Sequence, residues 1–142
     1  MSCDFRVGVR GARLRVPAAA LGLCYPAQGI DRFVARLGAN TARRMLVAAE
    51  TFAADELLRV GFFDYLVDAD ALDERIDELS ARLAALAPLA VRAMKELIIR
   101  IERQEADSGR AEELSRICQN STDLQEGLAA RREKRAPRFV GA

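Results

Sequence analysis

The residues able to do chemistry in this chain are carboxylates, tyrosine, lysine, arginine and backbone N–H groups, because the sequence contains no histidine. That absence removes Ser-His-Asp and Cys-His catalysis, histidine general bases and histidine-ligated zinc together. Cys3, Cys24 and Cys118 are too widely spaced to hold a metal, so no metal site is expected. Cys24 reads as a buried bystander thiol rather than a nucleophile. Gly8-Val9-Arg10-Gly11 lacks the glycine spacing and the following Lys-Ser/Thr of a phosphate loop. Asp31 stands beside Arg32 and reads as a solvated charge rather than a base. The densest charged feature is the basic run Arg131, Arg132, Lys134, Arg135 and Arg138. On its own it reads as a solvated helix end whose cations complement the negative end of the macrodipole. A nucleic-acid surface is not expected, since the net charge is only +1 and no aromatics interleave the cations.

These side chains must be held by elements that the hydrophobic pattern outlines. Phe5–Val9 and Arg13–Val16 are short β-branched runs split by Gly11-Ala12, and they read as a hairpin-like strand pair. Pro17, Gly22 and Pro26 mark a loop. Ile30, Phe33, Val34 and Leu37 recur at helical spacing, closed by Gly38, and Asn40 can cap a second helix carrying Met45 and Leu46. A short helix over Ala54–Arg59 ends at Gly61, and Phe63–Val67 is a candidate strand. Leu72, Ile76, Leu79, Leu83 and Leu86 form a sustained helical stripe behind Asp70 and Asp73. Pro88 suits the first turn of the next helix, which carries Val91, Met94, Ile98 and Ile101 and is expected to break at Ser108-Gly109. Leu114 and Ile117 lie on a further turn or two. Asp123 and Glu126 are spaced as a capping box for the last helix.

The tail from Ser121 to Gly141 resembles the closing signature S-x-D-x-x-E-G-x-x-A-x-x-E-K-R-x-P-x-F-x-G of the enoyl-CoA hydratase/isomerase (crotonase) family. Other segments follow in family order. Cys3-Asp4-Phe5-Arg6-Val7 resembles A-C-D-x-R-I. Arg15-Val16-Pro17 with Leu21-Gly22-Leu23 resembles F-x-x-P-E-x-x-L-G-L. Gly29–Phe33 with Leu37-Gly38, Phe52–Glu56 with Val60–Asp64, and Ala87–Val91 with Lys95 match the motifs between. Each is weak alone; together they run almost end to end. The resemblance implies an α/β fold corresponding to the C-terminal half of a crotonase-like ββα architecture, mostly helical with a few short strands. It divides the chain into a core half, 1–87, and a helical trimerisation and CoA-contacting region, 88–142.

The resemblance also implies chemistry. The family develops a thioester enolate and holds its oxygen with two backbone N–H groups, which are preorganised donors of large catalytic effect. Both donors belong to segments upstream of the strand resembling Cys3–Val7, as does one of the two hydratase glutamates. The second glutamate position is Ala18 here, and a methyl group cannot activate water. Leu21-Gly22-Leu23-Cys24-Tyr25-Pro26 through Ile30 is similar instead to the loop of the family's methylmalonyl-CoA decarboxylase, L-G-x-x-Y-x-x-x-G-I. By that likeness Tyr25 would orient a substrate carboxylate. The other reading of Tyr25 is a ring packed on the first helix with its hydroxyl in water. Lys134, in the E-K-R segment, would meet the CoA phosphates as a point charge. Arg131, where the family often has Phe, would stack or bond a phosphate. Leu21, Leu23 and Pro26 would line the acyl site, though leucines at such spacings are more often core.

The expected ligand is an acyl-CoA thioester as substrate, with no further cofactor. The expected assembly is a homo-oligomer, a trimer or hexamer, with no nucleic acid or membrane partner. Three unpaired-looking cysteines and the lack of an apolar leader point to a cytoplasmic protein. Two alternatives stay open: a malonyl-type acyl-CoA decarboxylase, and a non-catalytic remnant acting as an oligomerisation module.

Overall fold

A computed structural model describes residues 2–142. The chain divides into two compact units, one through Asp77 and one from Glu78 to Ala142.

In the first unit, strands β1 (Val7–Val9) and β2 (Arg13–Leu14) precede helix α1 (Ala27–Leu46), strand β3 (Phe52–Ala53), helix α2 (Ala54–Arg59) and strand β4 (Tyr65–Val67). The expected β1–β2 hairpin does not form. β1 pairs parallel with β4, Val7 opposite Tyr65 and Val9 opposite Val67. β2 pairs antiparallel with β3, Leu14 opposite Phe52. Gly11 adopts φ +85° and the Ala12 N–H bonds the Val9 carbonyl, so the chain turns without bringing the two strands into register. The pairing is decided by residues some forty to sixty positions away, which a local pattern does not see.

Gly38 breaks α1 as its position suggests: at φ 75° and ψ 156° it is non-helical, and the two helical stretches meet there. Leu37 and Met45, on either side of this break, join Phe52 and Leu57 in the buried core. Arg44 holds the edge of that core. Its guanidinium donates to Glu50 at 2.9 Å and Glu56 at 2.7 Å and lies 4.6 Å from the Phe52 ring centre. Asp64 accepts the Arg6 backbone N–H at 2.7 Å, joining the segments before β1 and β4.

Helix α3 (Leu72–Ala84) spans the division between the units. The second unit continues with α4 (Pro88–Glu102), α5 (Ser108–Gln119) and α6 (Thr122–Glu133). Pro88 occupies the first turn of α4, where a missing N–H costs nothing. Ser108-Gly109 does not break a helix but begins one. The chain leaves α4 at Arg103, and Asp107 caps α5 by accepting the Gly109 N–H. Leu114 and Ile117 therefore sit on a helix of 12 residues rather than a turn or two. Glu96 ties α4 to α5. Its carboxylate takes both arms of the Arg110 guanidinium, at 2.7 and 2.9 Å, and the Arg100 side chain at 3.0 Å. Arg110 first, with Arg100, pulls the Glu96 carboxyl down to about 2.

Candidate functional site

The loop after β2 carries the first group of candidates. Ala18 is nearly buried, 6% exposed, and opens a single 3-10 turn, Ala19–Leu21. Its carbonyl accepts N–H bonds from Leu21 at 3.1 Å and Leu23 at 2.9 Å. Gly22 ends the turn at φ 73°, a conformation suited to glycine. The side chain aimed inward at this turn is thus a methyl group, with no proton-accepting atom. Leu21 and Leu23, at 67% and 61% exposed, are not core residues; the turn presents both outward. Cys24 is exposed as well, which corrects the expectation of a buried thiol; its Sγ lies 3.5 Å from the Tyr25 carbonyl.

Tyr25 is partly exposed and Pro26 is the N-cap of α1. The Pro26 carbonyl accepts the Gly29 N–H at 2.8 Å and so starts the helix. The ring of Tyr25 lies along this first turn: a Cβ added at Gly29 would meet Tyr25 Cβ at 3.9 Å and Cδ2 at 4.0 Å. The phenol makes no hydrogen bond among the described residues. No acidic residue stands in the first turn of α1. The positive end of the helix dipole therefore lies beside Tyr25 with no carboxylate from the first turn of α1 to offset it.

The second group of candidates lies around α6. Ser121, not Asp123, is the N-cap, and its hydroxyl accepts the Leu124 N–H at 3.1 Å. Asp123 and Glu126 do not form the expected capping box, because both carboxylates are engaged by the C-terminal segment. Asp123, only 2% exposed, accepts the Val140 N–H at 2.7 Å and the Gly141 N–H at 3.0 Å. Glu126 accepts both arms of Arg135, at 2.6 and 2.8 Å, and the Arg138 N–H at 2.7 Å. The Arg135 guanidinium, then the Arg138 amide, hold the Glu126 carboxyl down to about 2. The Thr122 N–H and hydroxyl both reach the Ala142 carbonyl at 2.7 Å. Phe139 packs where Gly127 has no side chain: a Cβ there would stand 3.5 Å from the ring. The signature residues Asp123, Glu126, Gly127, Arg135 and Phe139 are therefore a latch that folds the tail onto α6. Their spacing was visible in the sequence; their long-range partners were not.

Lys134 is the signature residue the latch does not absorb. Among the described residues its ammonium makes no ion pair, and neither do Arg131 and Arg132. Its backbone is left-handed, φ 54° and ψ 40°. The Arg135 N–H bonds the Ala130 carbonyl at 3.0 Å and the Lys134 N–H bonds Arg131 at 3.4 Å, a Schellman ending in the position that usually carries glycine. Arg131 lines a cavity of about 280 Å³ with Leu89, Leu124, Leu128 and Phe139. The structure thus places a cation at an apolar pocket on α6 and a phenol at the start of α1.

The sequence profile described as enoyl-CoA hydratase/isomerase matches residues 1–142. A crotonyl-CoA hydratase of Syntrophomonas wolfei is 28% identical over 99% of this chain and 55% of its own length. A methylmalonyl-CoA decarboxylase of Escherichia coli is 28% identical over 99% of this chain and 56% of its own. Among solved structures, an enoyl-CoA hydratase/carnithine racemase of Magnetospirillum magneticum superposes with a TM-score of 0.90. It is 28% identical, over 99% of this chain and 52% of that one. The chain spans about half the length of the curated relatives it matches. Its fold is α/β, like that of these enoyl-CoA hydratase/isomerase structures.

Proposed function

The chain belongs to the enoyl-CoA hydratase/isomerase family, and from that premise we propose that it serves an acyl-CoA enzyme working through a thioester enolate. The observation that carries this reading is the family match across every residue of the chain. Lys134 and Arg131 anchor the coenzyme. The ammonium meets a phosphate as a compact point charge, and Arg131, which lines an apolar pocket, would stack on the nucleotide or bond a phosphate. Leu21, Leu23 and Pro26 border the acyl group, which would cover the two outward leucines. No cofactor beyond the thioester's own coenzyme is invoked. The working protein is a homo-oligomer, a trimer or hexamer, in the cytoplasm.

Within that class, decarboxylation of a malonyl-type thioester fits this loop better than hydration. Hydration requires a base to take a proton from water as oxygen adds to Cβ. The position that resembles the second hydratase glutamate holds the Ala18 methyl group. Decarboxylation needs no such base. The electrons of the bond between Cα and the carboxylate flow into the thioester, carbon dioxide leaves, and the enolate takes a proton from water at Cα. What the loop must do is orient the carboxylate. Tyr25, whose ring lies along the first turn of α1 and whose hydroxyl makes no hydrogen bond among the described residues, is suited to that task.

The 142-residue chain by itself is expected to be inactive, since the family's oxyanion donors belong to upstream segments. The test is therefore a pair of assays on a protein that also carries those segments, one with crotonyl-CoA and one with malonyl-CoA. Carbon dioxide release should exceed hydration, and Tyr25→Phe should lower it with CoA affinity nearly intact. The lost hydrogen bond to a charged group is worth about 1.5–3 kcal/mol, roughly 10- to 150-fold in rate. Faster hydration than decarboxylation would overturn the decarboxylase reading. An unchanged rate in Tyr25→Phe would return Tyr25 to packing on α1. No turnover of either substrate would favour the oligomerisation module.

A further inference from the structure

We infer that Glu126 is a positioning residue for Lys134: its carboxylate fixes the left-handed turn that presents the lysine ammonium to a CoA phosphate. The inference rests on the phosphate reading above and adds a residue to it.

A non-glycine residue in the left-handed region is held there by its surroundings rather than by its own preference. On the N-terminal side the surroundings are the end of α6, which offers the Ala130 and Arg131 carbonyls. Those bonds close the turn but are available to any helix ending. On the C-terminal side, the residue after Lys134 is gripped through its side chain. Arg135 meets Glu126 by two parallel bonds at 2.6 and 2.8 Å, the bidentate geometry that fixes direction as well as distance. The same carboxylate takes the Arg138 N–H at 2.7 Å, so the chain on the far side of Pro137 is pinned to the same point. Glu133, just before Lys134, adds a third contact to Arg135 at 2.7 Å. Glu133 and Arg135, the residues on either side of Lys134, are thus both paired within the latch, whereas the Lys134 ammonium makes no ion pair among the described residues. If Glu126 served only to cap α6, it would bond the helix N-terminus; it bonds the residues that flank Lys134 instead.

The sign of the expected effect separates positioning from charge. Removing a carboxylate near an anion site, with nothing else changed, should tighten binding of an anion. Releasing the Lys134 turn should weaken it. The experiment measures calorimetric affinities of the full chain for CoA and for dephospho-CoA, which lacks the 3′-phosphate. Wild type is compared with Glu126→Gln, Lys134→Ala and the double variant. Glu126→Asp keeps the charge with a shorter reach, and it guards against a folding defect in the glutamine variant.

The expected result is that Lys134→Ala and Glu126→Gln each weaken CoA by roughly 5- to 10-fold and dephospho-CoA by far less. Glu126→Gln should add nothing in the Lys134→Ala background, since residues acting as a unit are not additive. Glu126→Asp should fall between wild type and Glu126→Gln. Tighter or unchanged CoA binding in Glu126→Gln, with Lys134→Ala still weakened, overturns the inference and leaves the phosphate reading standing. Additive losses in the double variant also overturn it. An unchanged affinity in Lys134→Ala overturns the phosphate reading itself.

Discussion

Gly8 and Lys134 show opposite ways in which one residue's backbone and side chain come into conflict. A Cβ at Gly8 would clash with Cδ2 and Cε2 of Phe63, so the strand passes the ring at a distance only glycine permits. Gly8→Ala must push that ring or β1 aside. Overpacking of this kind costs about 1–3 kcal/mol, and urea unfolding should show the midpoint falling with an unchanged slope. At Lys134 the conflict is tolerated in the native sequence, at φ 54°. Lys134→Gly should therefore raise stability by up to about 1 kcal/mol, while removing the ammonium proposed to hold a phosphate. A glycine variant that is more stable and binds CoA more weakly would separate the residue's fold cost from its function. Equal or lower stability would mean that the lysine stem packs on α6 to compensate.

At the scale of elements, the latch between α6 and the tail should carry measurable stability. Asp123→Asn keeps one acceptor but turns an amide toward a backbone N–H, in a site where Asp123 is 2% exposed. Loss of a buried charged acceptor costs about 2–3 kcal/mol, so the melting temperature should drop by several degrees. The acid limb is governed by Glu126 and Glu96, whose carboxyls are drawn from 4.5 to about 2 by Arg135 and Arg110. Their folded values lie below their unfolded ones. Their contribution is therefore complete above about 4.5 and is lost as pH falls from there toward 2. Both groups are solvent-reached, which screens the effect. Thermal melts between pH 2 and 5 should lose less stability in Glu126→Gln than in wild type; parallel curves would remove the Arg135 pair from the balance. These elements also show what a sequence makes legible. Helix α2 follows from Ala54 to Arg59 as its local pattern and Gly61 predict, and the break at Gly38 follows likewise. The β1–β4 pair and the roles of Asp123 and Glu126 do not, because they are fixed by partners far along the chain. The spacing of Asp123 and Glu126 satisfies a capping-box pattern, and nothing local reveals that the tail competes for the same carboxylates. In the site, the missing carboxylate at Ala18 is readable from type alone, whereas the outward placement of Leu21 and Leu23 depends on the turn at Gly22.

At the scale of the molecule, apolar surface sets the expectation. Met94, Ile98 and Ile101 recur on one face of α4 and are 56%, 57% and 63% exposed. Contiguous apolar surface of this kind promotes association. Sedimentation at micromolar concentration should therefore find a species heavier than one chain, and replacing Ile98 and Ile101 with glutamate should lower its mass. A compact monomer in the unsubstituted chain would contradict this. Among the described residues no helix is long and apolar enough to cross a membrane. Handling of a coenzyme A thioester, with Lys134 as its anchor, is the property on which the proposed function depends. The direct measurement is the affinity of wild type and Lys134→Ala for acetyl-CoA and for S-acetylpantetheine, which keeps the thioester but lacks the nucleotide phosphates. Wild type should bind acetyl-CoA more tightly than the pantetheine ester, and Lys134→Ala should lose roughly tenfold in acetyl-CoA affinity with almost no change for the pantetheine ester. Equal effects of Lys134→Ala on the two ligands, or equal affinity of wild type for both, would contradict it.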